Sequence, residues 1–339
     1  MSIDTHETKP RVVRVAAVQT PPADSVASGL DRATPLVARA AADGAELVLL
    51  PELMAVNYRF TSEMWDCAET EKGTTVQWLR DTASHLQLYL GTSFLEACGD
   101  DFFNTFVLVT PEGEVAGRVR KQTPALLEPW FFRGEAGPHV IKTALGRIGV
   151  GVCNDNHRSY LPRLLQKEDA DLVLMPHCWP LPARAGGVVS QGDLDRWHEL
   201  QSSLASLYAR ILGIPAVFTN KVGPYSSPSP VWWLPRSTDM RLPGHASIAD
   251  SDGTIKARLA DDQGVITAPV TLDPGRKIRT PPRTYGRYVY PAGVAGVIVL
   301  APAWVGSQYY RFSGSRRQRA RLTRAGARPA APPLAAGRN

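Results

Sequence analysis

A chain of 339 residues with 44% hydrophobic and 21% charged residues has the composition of a soluble globular protein and excludes a disordered one; its length suits one large domain or two small ones. The formal charge of +6 is unevenly spread, because residues 311–339 carry eight Arg and no Lys, Asp or Glu, which leaves −2 for residues 1–310. This excludes a basic nucleic-acid-binding core, and the Arg-rich tail reads as solvated and disordered, able to touch acidic surfaces only without specificity.

The polar stretch Met1–Pro10 lacks the apolar core of a secretory signal. Cys67, Cys98, Cys153 and Cys178 form no CxxC pair and no Cys/His cluster with zinc spacing. A reducing, cytoplasmic setting with free thiols is therefore expected.

Val12–Val18 is an apolar run rich in Val and Ala and reads as a buried strand. Leu30, Ala33, Leu36, Val37 and Ala40 then follow a helical period that Gly44 ends, and Leu47–Leu50 is a second buried strand, followed by Pro51 and Glu52. Thr75–His85 reads as a helix and Leu88–Ser93 as a strand; Asn104–Thr110 and Glu114–Arg120 flank the turn Pro111–Gly113 as a hairpin. Arg147–Cys153 is a strand, Leu161–Gln166 a helix, Leu172–Pro176 a strand, Leu194–Ile211 a long helix and Pro215–Thr219 a strand. Ala246–Ala249, Ile255–Ala260 and Val265–Leu272 complete the series. Leu181–Leu194 and Pro224–Pro243 are rich in Pro, Gly and Ser and read as long loops, either surface insertions or the rim of a site. Strands alternating with helices, then hairpins, indicate an α/β layered fold with a mixed sheet, one domain over residues 10–275.

Residues 276–310 include a 23-residue stretch without charge, Tyr288–Tyr310, with aromatics near both ends. Its length permits a membrane span, but Pro291, Pro302 and three glycines weaken that helix. An extended arm packed on a partner subunit is the preferred reading, membrane contact through 288–310 the alternative, and a plain core element the third. Residues 311–339 form the Arg-rich tail.

Four segments stand out together. Glu52 follows a buried strand; Lys121 ends a hairpin strand; Glu128 lies seven residues further on; Cys153 ends the strand Arg147–Cys153. Ligands of α/β sheets bind outside the carboxyl ends of the strands, and Glu52, Lys121 and Cys153 share that address. In this order, with Ala17-Val18-Gln19, Pro51-Glu52, Asn104-Thr105, Asp171–Trp179 and Gly244–Gly253 around them, they resemble the nitrilase superfamily of carbon–nitrogen hydrolases from about Val12 to Asp273. The resemblance implies a four-layer αββα sandwich with a C-terminal extension, a Glu52–Lys121–Cys153 triad supported by Glu128, and a homodimer or larger homo-oligomer. No phosphate-binding glycine loop, nucleotide motif or metal site stands out in the sequence, so no cofactor is expected.

In the chemistry so implied, Lys121 lowers the thiol pKa, Glu52 acts as general base, and Cys153 attacks a carbonyl to give a thioester. Lys121 and the backbone N–H of Asn154 hold the oxyanion, and Glu52 then activates water. True nitrilases usually carry Trp-Glu after the cysteine; Asn154-Asp155 is closer to amidases and N-carbamoyl-amino-acid hydrolases, so a small amide or carbamoyl substrate is expected. The adjacent arginine pair of the carbamoylase pattern is absent, with Asn156-His157 before a single Arg158, and Gln122 replaces the histidine that follows the lysine. Arg158, Trp130 and Trp179 are candidate substrate contacts, and Phe131, Phe132, Trp232 and Trp233 are further aromatics near the motifs, with ordinary core packing as the alternative. A nitrilase or an amide-forming acyltransferase would use the same triad; a scaffold protein on the same fold would be expected to break it.

Overall fold

The structure, a computed structural model, describes residues 9–56, 58–186, 189–228, 237–292 and 300–326. Trp232, Trp233, most of the apolar run 293–301 and the tail 327–339 lie outside the described residues.

The chain begins β1 (Arg11–Gln19), α1 (Val26–Ala42), β2 (Leu47–Leu49), α2 (Thr74–Leu86), β3 (Tyr89–Cys98), β4 (Asp101–Val109) and β5 (Val115–Arg120). It continues β6 (Val140–Thr143), β7 (Gly146–Val150), α3 (Tyr160–Lys167), β8 (Leu172–Pro176), β9 (Leu181–Pro182), α4 (Gln191–Leu212) and β10 (Ala216–Thr219). Then come β11 (Val222–Ser227), β12 (Ser237–Pro243), β13 (Ser247–Ala249), β14 (Ile255–Arg258), β15 (Gly264–Leu272), and two C-terminal helices, α5 (Leu300–Phe312) and α6 (Gly314–Arg324).

One six-stranded sheet has the order β15-β1-β2-β3-β4-β5 and a second the order β14-β13-β10-β8-β7-β6. In each, three central strands are parallel and the outer ones antiparallel. The two-residue period of a strand sorts the side chains. Along β1, Val13, Val15 and Ala17 enter the core between the sheets, where they join Leu47, Leu49, Ile148 and Leu174, while Ala16 and Val18 face the helices. On that outer face α1 contributes Ala33, Val37 and Ala40 and α2 contributes Val76, Leu79 and Ala83. On the opposite outer face Val173, Met175 and Phe218 meet α3 and α4 through Leu165, Leu204 and Tyr208. The four layers are thus α, β, β, α, as the resemblance implied. Helix α1 is started by a reciprocal cap between Ser25 and Ser28, and α4 by one between Ser190 and Asp193.

Two expectations change. The stretches read as loops, 181–194 and 224–243, supply β9 and most of β11 and β12, which form a third, three-stranded sheet in the order β11-β12-β9. Pro224 lies on an exposed face of β11, where a missing donor is tolerated; the Pro- and Ser-rich composition hid a strand whose Val222, Tyr225 and Ser227 are buried.

The C-terminus differs too. Residues 300–312 are helical, not an extended arm, and residues 314–324 form a second helix, not a solvated tail. Arg316 donates to the Asp100 carbonyl at 2.6 Å and pairs with Asp101; Arg319 pairs with Asp66 at 2.5 Å, and Arg321 reaches both carboxylate oxygens of Asp100 at 2.9 and 2.8 Å. The counter-charges come from the β3–β4 turn and a short segment before α2, far away in sequence. No helix among the described residues is long and apolar enough to cross a membrane.

Candidate active site

Glu52 sits in the turn after β2 and is fully buried. Its backbone N–H donates to the His177 carbonyl at 3.3 Å, and the next residue, Leu53, takes a left-handed φ of 47°, held by Ser93 Oγ on its N–H at 2.9 Å. Glu52 Oε1 accepts from Asn104 Nδ2 at 2.7 Å and from Lys121 Nζ at 2.8 Å, and Oε2 accepts from the Cys178 N–H at 2.7 Å.

Lys121 leaves the edge strand β5 with its N–H on the Asn104 carbonyl at 2.8 Å. Its ammonium also lies 2.8 and 2.7 Å from the two oxygens of Glu128. Glu128 opens a one-turn 3-10 segment, Glu128–Trp130, and accepts from Tyr58 OH and from the Ala125 N–H, each at 2.5 Å. Two carboxylates and one ammonium are therefore sealed together with their oxygens satisfied by neutral donors.

Cys153 stands three residues beyond β7, at the start of a short 3-10 turn, with φ 50°. A left-handed cysteine turns its side chain off the strand line toward the Glu52–Lys121 pair, a strained placement of the kind found at functional sites. The turn is closed by Asn156 Nδ2 on the Gly151 carbonyl at 2.6 Å; a Cβ on Gly151 would fall 2.0 Å from Asn156 Oδ1, so only glycine fits. The two residues after the cysteine tie this turn to the loop that follows Lys121. Asn154 Nδ2 donates to the Thr123 carbonyl at 2.9 Å, while Asp155 accepts from the Gln122 and Thr123 N–H groups at 3.1 and 2.8 Å and from Tyr160 OH at 2.7 Å. Glu52, Lys121, Glu128, Cys153 and Asn154 are thus gathered in one place.

The electrostatics follow from the sealed charges. Burial, then the Glu52 carboxylate to which it is hydrogen-bonded, push the Cys153 thiol well above its ordinary range, with Lys121 pulling the other way. Lys121 lowers the thiol pKa, as expected, but burial and two carboxylates outweigh that one ammonium. For Lys121 itself burial disfavours the charge, but Cys153, Glu128 and Glu52 hold it well above the usual lysine value. Burial and Glu52 raise Glu128, against the pull of Lys121.

Beyond the nucleophile, residues 285–290 run back along the cysteine turn. Tyr288 bridges to Arg158, the Val289 N–H donates to the His157 carbonyl at 3.1 Å, and Tyr290 OH lies 2.8 Å from His157 Nδ1. The His157 ring meets the half-buried Trp179 edge to face at 4.4 Å, and burial holds its pKa down at about 3. Arg158 is 7% exposed, stacks over Tyr288 at 4.8 Å, and has no partner on its buried Nε among the described residues. Trp130 does not join this wall. Its indole packs on Tyr309 at 4.9 Å and donates to the Pro302 carbonyl at 3.3 Å, so α5 takes up the ring that the sequence offered as a substrate contact. Phe131 and Phe132 are core residues.

Three neighbours went unread in the sequence. Tyr58 lies in a loop without periodicity, and nothing marked it. Asn104 entered only as part of the resemblance, without a role. Lys221 did carry a signal, since it comes two residues after the buried strand β10. It is fully buried, donates to the carbonyls of Leu53 and Val56 at 2.7 and 3.1 Å, and so props the turn after Glu52.

The carbon–nitrogen hydrolase family model matches residues 14–280. An N-carbamoylputrescine amidase of Solanum lycopersicum is 24% identical over 290 residues, covering 83% of this chain and 92% of that protein. A citrullinase of Francisella tularensis is 28% identical over 173 residues, 48% of this chain and 60% of that one. Among solved structures, a carbon–nitrogen hydrolase from Helicobacter pylori G27 superposes with a TM-score of 0.67 at 20% identity, covering 77% of this chain and 89% of that one. An amidase from Nesterenkonia sp. gives 0.62 at 22% identity, covering 77% and 91%.

Proposed function

The chain belongs to the carbon–nitrogen hydrolase family, in the amidase-like branch of the nitrilase superfamily, and is an amide-hydrolysing enzyme; from that premise we propose that it cleaves a small linear amide or carbamoyl compound through a thioester on Cys153. The observation that carries the reading is the position of Lys121 Nζ, held between Glu52 at 2.8 Å and Glu128 at 2.7 Å in the same buried cluster as Cys153.

Glu52 takes the thiol proton as Cys153 Sγ bonds to the substrate carbonyl carbon. The oxyanion of the tetrahedral intermediate is met by Lys121 Nζ and by the backbone N–H of Asn154; each preorganised donor is typically worth about 3–4 kcal/mol. Glu52 returns its proton to the departing nitrogen, leaving the thioester. Water then loses a proton to Glu52, attacks the same carbon and releases the acid, and the thiol is restored. Glu128 touches no reacting atom in this scheme; it orients Lys121 and balances its charge.

Asn154 and Asp155 stand where true nitrilases usually carry Trp-Glu, which supports amide over nitrile chemistry. Arg158 and Trp179 form the substrate side, and the guanidinium with an unpaired Nε favours a substrate that carries an acceptor or an anionic group there. Exposed Trp304, Tyr309 and Phe312 on α5 support assembly into a homodimer or larger homo-oligomer, which light scattering would test.

The decisive assay measures ammonia release from a panel of linear amides, N-carbamoyl compounds and nitriles, with the acyl adduct on Cys153 trapped for mass spectrometry. Release from nitriles but not amides would reverse the substrate ranking, and full turnover by Cys153→Ala would sink the mechanism.

A further inference from the structure

Helices α5 and α6 fold onto the segment that carries Glu128. Gly306 of α5 lies so close to Trp130, the last residue of the Glu128 turn, that a Cβ there would fall 2.2 Å from the indole. Pro302 takes the indole N–H through its carbonyl, and Tyr309 covers the ring. Next to this contact runs a strut made by Phe102. Its N–H donates to Tyr310 OH of α5 at 2.8 Å, its carbonyl accepts from the Arg133 N–H at 3.1 Å, and its ring stacks on Trp65 at 5.6 Å. Trp65 in turn donates to the Phe131 carbonyl at 2.8 Å. Arg316 of α6 locks the assembly. It is 4% exposed, lies over the Tyr310 ring at 4.3 Å, and pairs with Asp101, which also takes Arg133 at 3.0 Å.

The C-terminal helices thus support the exit of the turn, while its approach is tied to the cysteine turn only at Gln122 and Thr123 among the described residues. That approach, Gln122–Leu127, is half-exposed, with Leu126 40% exposed at a φ of 47°. The exit, Trp130–Phe132, is buried beside α5 and the Phe102 strut. We propose that Gly306, Tyr310 and Arg316 are positioning residues for the reaction: the C-terminal helices hold the Glu128 turn in place, and through Glu128 they set the position of the Lys121 ammonium. This rests on the role given to Glu128 above, and it places a requirement for turnover more than 170 residues from that glutamate in sequence.

The test is a double-mutant cycle in the full-length chain. Arg316→Ala is expected to lower kcat about 10- to 100-fold with KM changed less than about threefold, and Arg316→Lys to recover part of the loss. In the Glu128→Gln background, Arg316→Ala is expected to add little, because the route to the chemistry is already cut. Amide hydrogen exchange over residues 125–133 should speed up in Arg316→Ala at a temperature where the sheets stay protected. Losses that multiply in the double mutant, or exchange over 125–133 equal to wild type, would overturn the proposal. Gly306→Ala, which forces one methyl against the indole, gives the same readouts should Arg316→Ala not fold. A wild-type chain with no amide turnover would overturn the functional reading instead, and the exchange measurement would then decide this one.

Discussion

Replacing Lys121 by Met separates the fold from the chemistry. Lys121 is the ammonium within hydrogen-bonding distance of both Glu52 and Glu128, and all three side chains are at most 1% exposed. Methionine fills nearly the same volume, so the lost quantity is charge. Two carboxylates then share a dry site with Asn104, Tyr58, the Cys153 thiol and the N–H groups of Cys178 and Ala125 to hold them. Removing one partner of a buried ion pair typically costs about 3–5 kcal/mol. A domain is commonly stable by only about 5–15 kcal/mol, so Lys121→Met should fold marginally, with a clear fall in the urea midpoint and no turnover. Lys121→Met combined with Glu128→Gln removes one of the stranded charges. It should regain most of the lost stability and none of the activity. Urea unfolding followed by tryptophan fluorescence measures the first quantity, ammonia release the second. If Lys121→Met costs less than about 1 kcal/mol and the second substitution changes nothing, the carboxylates are not both charged in the folded state and the cluster has been misread.

Tyr58→Phe deletes a donor 2.5 Å from a buried carboxylate, a bond of a kind worth about 1.5–3 kcal/mol, so kcat/KM should fall about 10- to 100-fold with the fold intact by circular dichroism. Asp155→Asn turns an amide N–H₂ toward groups that are themselves donors, and should lower stability by roughly 2–3 kcal/mol in urea unfolding while loosening the loop after Lys121. His157, at about 3 in the folded chain against about 6.5 when unfolded, contributes stability that is present above pH 6.5 and lost as pH falls toward 3, at most about 5 kcal/mol; His157→Gln should flatten that part of the stability–pH curve.

What the sequence made legible follows where the information was stored. Strands such as β1 and β8 and helices such as α1 and α4 declare themselves through local period and composition, and each appears within a few residues of its expected place. Glu52 and Cys153 were legible because each follows a buried run, and Lys121 because it ends a recognisable hairpin strand. The small third sheet was not, because Pro224 and the Ser-rich segment around it mimic a loop, and the strands are stabilised by partners on other segments. Trp130 was misplaced for a related reason: its neighbour is Gly306, and nothing near residue 130 announces it. The Arg-rich tail is the plainest case. Read alone, α6 is a run of like charge without a hydrophobic face; read with Asp66, Asp100 and Asp101 it is a docked helix.

The charge count in the site changes how the nucleophile works. One ammonium against two carboxylates leaves a net negative charge in a space that excludes water, and a thiolate would add a second. The resting cysteine is accordingly a thiol, and the barrier to forming the thiolate is crossed only when a carbonyl is present to receive its electrons. Glu52 is built for that single transfer. Its Oε2 is held by the Cys178 N–H and its Oε1 by Asn104 and Lys121, so it can accept a proton without moving and give it back to the leaving nitrogen from the same position. Lys121 then does little to ionise the thiol in advance; its charge acts on the oxyanion, which forms as the proton reaches Glu52 and the site's net charge stays constant. Such a cysteine should turn over a fitting amide far faster than a general alkylating agent modifies it, since the alkylating agent offers the site no oxyanion to hold.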